Sequence, residues 1–534
     1  MKNVKYRVYS ENEWVYPDDE IVAFDEATLS LHTARGGNVM IQALAEGEIK
    51  KGDKVSISVC GANGVTVKAY QLVPVTVALN SAPKGLPNTT TDYEKVKDFV
   101  TRKAPFDVYD ATAPLDEIAL ADGRFAFALR YTAARDAKVG AQNIEVTLKV
   151  NECTCTIPVT VNVHKAIIPE LDKSELAVIN WANDRILANE CGGEYGGEKF
   201  FELYKQVLPH LVDIRNNHFS LFGSWDNEVD GTVVIRDENG KIVDFDLSIL
   251  EKELKLAEEA GMTKLYGHYI AHWEHWNDAE LQLLWDKQDK TRVTTNEAYR
   301  QIQIYFKRLL EMIERNGWQD KFIQPLVDEP QTYNVMDYRV LCGIVRQLYP
   351  TVVIHDPVEV VELGGAADII CVKQAYFEKF YEGFLELQKM GQRMTYYTCG
   401  YPAGPTMNRA IDLPVFVGRL SFWMCHRYGF EGFLHWGYLS RSGLDLINSR
   451  NMVPGNHQIV YLVDGLFWET VRSHNQRAGA EDWELLNIIK KNDEALAQKL
   501  IEKGCRTFDD YETDMKKVEA IRLEILECAD KYFE

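Results

Sequence analysis

The sequence predicts an antiparallel β-sandwich over residues 1–168, followed by a (β/α)8 TIM barrel with C-terminal helices over residues 169–534. Three observations predict it. Up to about residue 168, short alternating runs of apolar and polar residues are separated by Gly, Asn, Asp and Pro, the pattern of antiparallel strands with one buried face. Beyond Ile168-Pro169 the pattern changes to short apolar runs alternating with longer helical segments, as in a parallel α/β domain. Those runs number eight, each followed by a helix-compatible segment, which is the count of a closed barrel.

In the first part, VSISV (55–59), VTVKAYQLVPVTVAL (65–79) and RFAFALRY (124–131) read as strands, and IEVTLKV (144–150) with IPVTVNV (157–163) forms a pair around Asn151-Glu152. The stretch NSAPKGLPNTTT (80–91) is rich in Pro, Asn and Thr and reads as a loop at one end of the sandwich. The barrel strands are LAVINWAN (176–183), HFSLFG (218–223), KLYGHYI (264–270), FIQPLVDE (322–329), TVVIHD (351–356), DIICVKQ (368–374), MTYYTCG (394–400) and GFLHWGY (432–438). Helices are expected at 198–216, 247–260, 296–317 and 415–428. The charged, amphipathic tail from Glu481 to Glu534 reads as the last barrel helix and a packing helix or two.

At 534 residues, 46% apolar and 26% charged, the chain has a globular composition with ample material for a core. A net charge of −21 repels phosphate backbones and anionic lipid, so nucleic acid is not an expected partner. No membrane-spanning helix is predicted. The N-terminal MKNVKYRVYSENEW lacks the apolar centre of a secretory signal. The ten cysteines are scattered without C-x-x-C pairs, so free thiols in a reducing cytoplasm are the expectation.

The sharpest chemical feature is Asp328-Glu329, which closes the fourth barrel strand and is followed by Pro330. Two carboxylates at the open end of an apolar strand shift each other's proton affinity, one staying ionised while the other is raised toward the working range of a general acid. Both can face one ligand only if the chain leaves strand geometry there, because strand neighbours point to opposite faces. The structural alternative has Asp328 capping the next helix and Glu329 pairing with a base.

Aromatic residues crowd the other predicted strand ends: Trp181, Trp225, Tyr269, Tyr397, Trp436 and Tyr438, whose rings suit the apolar face of a sugar. Asn180, His268, Asp356, Gln374 and His435 lie in the same tier and offer directed hydrogen bonds to hydroxyls. His272 and His275 flank Trp273-Glu274, but the spacing is not H-E-x-x-H and no third ligand stands near, so no metal site is assigned. Gly-rich fragments such as CGGEYGG (191–197) lack a phosphate-binding frame, and there is no G-x-S-x-G elbow.

Several ordered motifs carry a family resemblance. LVDEP (326–330), YYTCGYP (396–402), IDLPVFVGRLSFWMCHRYGFEGFLHWGY (411–438) and RAGAEDWELL (477–486) together resemble the catalytic domain of glycoside hydrolase family 123, typified by β-N-acetylgalactosaminidases, over roughly 170–490. The chain departs from the family pattern at Arg472-Ser473-His474, where His474 stands at a position usually held by Glu. The resemblance implies a retaining, substrate-assisted hydrolase that needs neither metal nor cofactor and acts on a β-GalNAc-containing glycan or glycolipid. By position, it implies that Asp328 orients the 2-acetamido group and Glu329 serves as general acid and base, with Trp436, Tyr397 and Tyr438 walling the sugar. Trp225, His435 and Gln374 complete the expected substrate-binding set. A glycosidase of different sugar specificity or stereochemistry, or a catalytically silent carbohydrate-binding protein, remains the alternative at this level.

Overall fold

The computed structural model describes residues 5–21, 29–61, 63–86, 88–115, 122–182, 184–192, 194–221, 231–275, 277–285, 290–446 and 452–534. They form two compact units, one built from 1–174, 400–428 and 443–534 and the other from 175–399 and 429–442.

The first unit is a sandwich of two sheets. Its larger sheet has seven strands in the order Lys5–Ser10, Asn38–Glu46, Arg124–Ala133, Val65–Val77, Phe106–Pro114, Leu466–Thr470 and Tyr461–Val463. The smaller runs Leu29–Arg35, Cys153–Ile167, Gly140–Val150 and Val55–Cys60. The predicted pair around Asn151-Glu152 is a hairpin in register from Gly140↔Val163 to Val150↔Cys153. Asn151 takes the left-handed conformation at its turn (φ 50°), which Asn tolerates better than most side chains. Period-two alternation places Ile144, Val146 and Leu148 with Ile157, Val159 and Val161 against Ile41, Phe125, Phe127 and Leu129 of the facing sheet.

Two features depart from the antiparallel, one-face-buried expectation. Leu29–Arg35 pairs parallel to Cys153–Ile167. The strand Asn38–Glu46 is buried on both faces as far as Ala45. The second face is covered within the same unit, where Met40, Leu44, Ala126 and Ala128 pack with Ile411, Val415 and Val471. The helices Val417–Tyr428 and Val471–Asn492 carry a buried ion cluster. Arg419 binds Asp482 through two hydrogen bonds, at 2.5 and 2.8 Å, and reaches Glu11 at 2.9 Å.

The second unit is a closed barrel of eight parallel strands: Ala177–Ala182, His218–Leu221, Lys264–Tyr266, Phe322–Gln324, Val353–Val358, Ile369–Lys373, Arg393–Thr398 and Gly432–His435. All eight predicted strands are present in order. The ring closes where Ala177 pairs with Gly432, and only glycine fits there, since a Cβ on Gly432 would lie 2.3 Å from the Ala177 carbonyl oxygen. Asparagines tie the first strand to the segment leading into the second. Asn217 Oδ1 accepts Val178 N–H at 3.0 Å, and Asn216 Oδ1 accepts Asn180 N–H at 2.6 Å. The helix Asn296–Asn316 is capped by the Thr295 side chain, which accepts Ala298 N–H, and is stopped by left-handed Gly317.

Candidate active site

The carboxyl ends of barrel strands are where this architecture places its chemistry, and the Asp328-Glu329 pair lies there. The fourth strand ends at Gln324, four residues before Asp328, so the pair sits on a loop that has left strand geometry. Glu329 adopts a left-handed backbone (φ 47°), a conformation rare for a residue with a Cβ. That turn frees the two side chains from pointing to opposite faces. The loop is held from outside and from within: Trp273 Nε1–H donates to the Asp328 carbonyl at 3.0 Å, and Gln331 Nε2, two residues on in the same loop, donates to the Glu329 carbonyl at 3.0 Å.

The loop rests on a carboxylate from the fifth strand. Asp356, fully buried, accepts Leu326 N–H at 2.7 Å through Oδ1 and the Tyr338 hydroxyl at 2.6 Å through Oδ2. Burial pushes its carboxyl up to about 7, against the pull of the Tyr338 hydroxyl and the backbone donors. On the same strand, His355 bridges Tyr266 OH at 2.6 Å and Thr395 Oγ1 at 2.8 Å.

The two acids differ in their partners. Glu329 Oε1 accepts from the Tyr397 hydroxyl and from Lys373 Nζ, the latter at 3.3 Å. Lys373 Nζ also lies 2.5 Å from Glu359 Oε1, and Glu359 Oε2 accepts Gln331 Nε2 at 3.0 Å. Lys373, Glu359 and Tyr397 are all buried and come from the sixth strand, the residue following the fifth, and the seventh strand respectively. Both acids are raised above the ordinary carboxylate range. For Asp328 the shift is large, through burial and then the neighbouring Glu329 charge, and Lys373 opposes it only in part. For Glu329, burial raises the carboxyl while Lys373 and the Tyr397 hydroxyl draw it back. Coupled acids of this kind titrate as a pair.

Of the expected residues, Glu329 and Tyr397 are brought into direct contact. His435 ends the eighth strand fully buried, with Nδ1 accepting Gly437 N–H at 3.0 Å and its ring stacked on Trp436, centroids 6.3 Å apart. Trp436 is partly exposed and Tyr438 is buried. Gln374 opens the helix after the sixth strand with its side chain buried, and its Nε2 has no hydrogen-bond partner among the described residues. His268 is buried with both ring nitrogens unbonded among the described residues. Trp181 and Tyr269 meet edge to face at 5.9 Å. Trp225 lies outside the described residues. His474 is buried in the first unit, its Nε2 3.7 Å from Glu469 and its ring against Tyr70.

Lys373, Glu359 and Gln331 were missed by the sequence reading. The available signal for Lys373 was the one applied to Asp328-Glu329, a charge closing an otherwise apolar strand, here IICVK.

The model of the glycoside hydrolase 123 catalytic domain matches residues 181–489. No curated protein sequence matches the chain. Among solved structures, a family 123 glycoside hydrolase from Clostridium perfringens, described for glycolipid glycan hydrolysis, is similar at 12% identity with a TM-score of 0.72, covering 99% of this chain and 98% of that one. An endo-β-1,4-mannanase from Thermotoga petrophila, 12% identical, covers 59% of this chain and 78% of its own at a TM-score of 0.34, too low to bear on the fold.

Proposed function

Since the chain belongs to glycoside hydrolase family 123, we propose that it releases terminal β-linked N-acetylgalactosamine with retention of configuration, using the substrate's own 2-acetamido group as nucleophile. The observation that carries this reading is the asymmetric partnering of two adjacent acids: Glu329 has Lys373 and Tyr397 as donors, whereas the contact to Asp328 from Trp273 reaches its backbone carbonyl.

Adjacent acids suffice without a separate protein nucleophile when the attacking oxygen comes from the substrate, already positioned within the same molecule. The acetamido carbonyl oxygen attacks the anomeric carbon, the glycosidic C–O bond breaks, and Glu329 gives its proton to the departing oxygen. Asp328, ionised, accepts the acetamido N–H and stabilises the oxazolinium charge. Burial raises both carboxyls, so the pair holds a proton between them. The substrate N–H supplies the Asp328 carboxylate with a donor. Its arrival favours ionised Asp328 and passes the proton to Glu329, which prepares the acid for the first step. In the second step Glu329 takes a proton from water, which attacks the anomeric carbon and reopens the oxazoline. Trp436, Tyr397 and Tyr438 form the sugar walls in this reading, with Gln374 and His435 as polar contacts. The buried thiols of Cys155, Cys371 and Cys505, none of them in a disulfide among the described residues, support a cytoplasmic setting.

The test is release of p-nitrophenol from paired β-N-acetylgalactosaminide and β-galactoside substrates, with product anomer followed by NMR. Cleavage confined to the acetamido sugar, with the β-anomer formed first, is expected. Equal cleavage of the plain galactoside overturns substrate assistance, and binding without turnover of either sugar overturns the enzyme reading.

A further inference from the structure

Resting on that reading, we propose that Glu359 and Lys373 form a positioning pair that sets the proton affinity of Glu329 and dictates which of its oxygens carries the proton. Lys373 Nζ stands 2.5 Å from Glu359 and 3.3 Å from Glu329, so its charge is committed first to Glu359. Glu359 is fully buried, and its other oxygen is occupied by Gln331. A buried ammonium matched this closely by a carboxylate acts on Glu329 as a dipole rather than as a full cation.

Each member prevents a different failure. Without Glu359, the full Lys373 charge would hold Glu329 ionised and leave no proton to donate. Without Lys373, the Glu359 and Asp328 charges would hold the proton on Glu329 too tightly for it to serve as the base in the second step. The oxygens are also distinguished: Oε1 is taken by Lys373 and Tyr397, which leaves Oε2 to carry the proton. Among the described residues, the titratable groups facing this cluster are Asp328 beside Glu329, Tyr397 across from it, Tyr376, which bonds Glu359 and has its ring 5.8 Å from Lys373 Nζ, Cys399 near Lys373, Cys371 near both acids, and Asp356 and Tyr269 acting on Asp328.

The experiment is a carbon-13 NMR titration of glutamate carboxyls in the full chain without substrate, taking as Glu329 the transition present in wild type and absent in Glu329→Gln. In Glu359→Gln the midpoint is expected to fall by about one pH unit or more, and in Lys373→Met to rise by about as much. Movement in the same direction in both variants, or in neither, overturns the proposal. If one single variant does not fold, Lys373→Met/Glu359→Gln removes both opposite charges together. Its midpoint is expected within about half a unit of wild type, and a displacement of about one unit or more overturns the proposal. Because no sugar is present, the titration stands apart from the proposed reaction, and failure to cleave acetamido glycosides would overturn that reaction alone.

Discussion

The Tyr338 hydroxyl and Asp356 Oδ2 meet at 2.6 Å beneath the loop that carries the two acids, while Oδ1 of the same carboxylate holds Leu326 N–H at 2.7 Å. Asp356 thus fixes the backbone two residues before Asp328 without being placed against the substrate. Asp356→Asn keeps the shape but forces one of those donors to face an amide N–H. Stability is expected to fall by about 1–3 kcal/mol. kcat is expected to fall about tenfold or more with little change in KM, because a displaced acid loop harms the transition state more than binding. Urea unfolding and steady-state rates check this, and a destabilised variant with wild-type kcat would confine Asp356 to a folding role.

Glu329→Gln separates leaving groups. Substrates with poor leaving groups need the proton and are expected to lose about 100-fold or more in kcat/KM, whereas activated aryl glycosides should lose less than about tenfold. A disaccharide and a dinitrophenyl glycoside measured side by side decide the matter. Equal losses on both remove the acid role from Glu329.

For Asp328→Asn the contrast with Glu329→Gln should disappear. Its work lies with the acetamido group rather than the leaving oxygen, so both substrate classes are expected to slow together, by about 100-fold. A variant matching wild type on either class rules out the orienting role.

Much of the barrel was legible because each strand is an apolar run closed by polar residues, a signal that needs no tertiary information. The strand lengths were less legible. The third and fourth strands stop at Tyr266 and Gln324, short of the expected ends at 270 and 329. Close packing intervenes at the first of these, where a Cβ on Gly267 would lie 2.8 Å from both Phe322 and Gln324. The Asp328-Glu329 pair stands out in sequence because its members are chain neighbours. Glu359 and Lys373 are 14 residues apart and become a pair only when adjacent strands bring them together. The strands Tyr461–Val463 and Leu466–Thr470, which extend the N-terminal sheet from more than 300 residues away, were likewise invisible, since pairing at that separation leaves no local pattern.

The sandwich unit depends on a buried ion pair of its own. Arg472 reaches both oxygens of Asp110 with Nε, and reaches Oδ2 again with Nη2 at 2.7 Å; Tyr461 also donates to Oδ2 at 2.8 Å. Arg472→Met leaves the Asp110 charge buried with the Tyr461 hydroxyl as its remaining side-chain donor among the described residues, and is expected to cost about 3–5 kcal/mol. Arg472→Met/Asp110→Leu, which removes both charges, should recover most of that. Denaturant midpoints of the two variants check it, and a double variant no better than the single would show that the loss comes from packing rather than charge.

His355 supplies a prediction about pH. It is 3% exposed, one ring nitrogen donating and the other accepting between Tyr266 and Thr395, and burial pushes its proton affinity down to about 3, with Arg393 adding to the effect. The unfolded chain would titrate the same ring near ~6.5. A folded value below the unfolded one means that, as pH falls below ~6.5, the unfolded chain gains a proton the fold refuses. The stability His355 contributes is therefore complete above ~6.5 and is lost as pH falls toward 3, at up to about 1.4 kcal/mol per pH unit. Raised acids such as Asp356 titrate in the opposite sense, so the comparison must be with a variant that keeps them. At pH 7.5 the wild type is expected to exceed His355→Gln by about 1–3 kcal/mol through the two hydrogen bonds. That margin should shrink steadily below pH 6.5 and reach zero near pH 5. A margin unchanged between pH 7.5 and 4.5 would mean that the imidazole takes up its proton in the folded barrel as readily as in the unfolded chain, and that burial at the fifth strand does not exclude the charged ring.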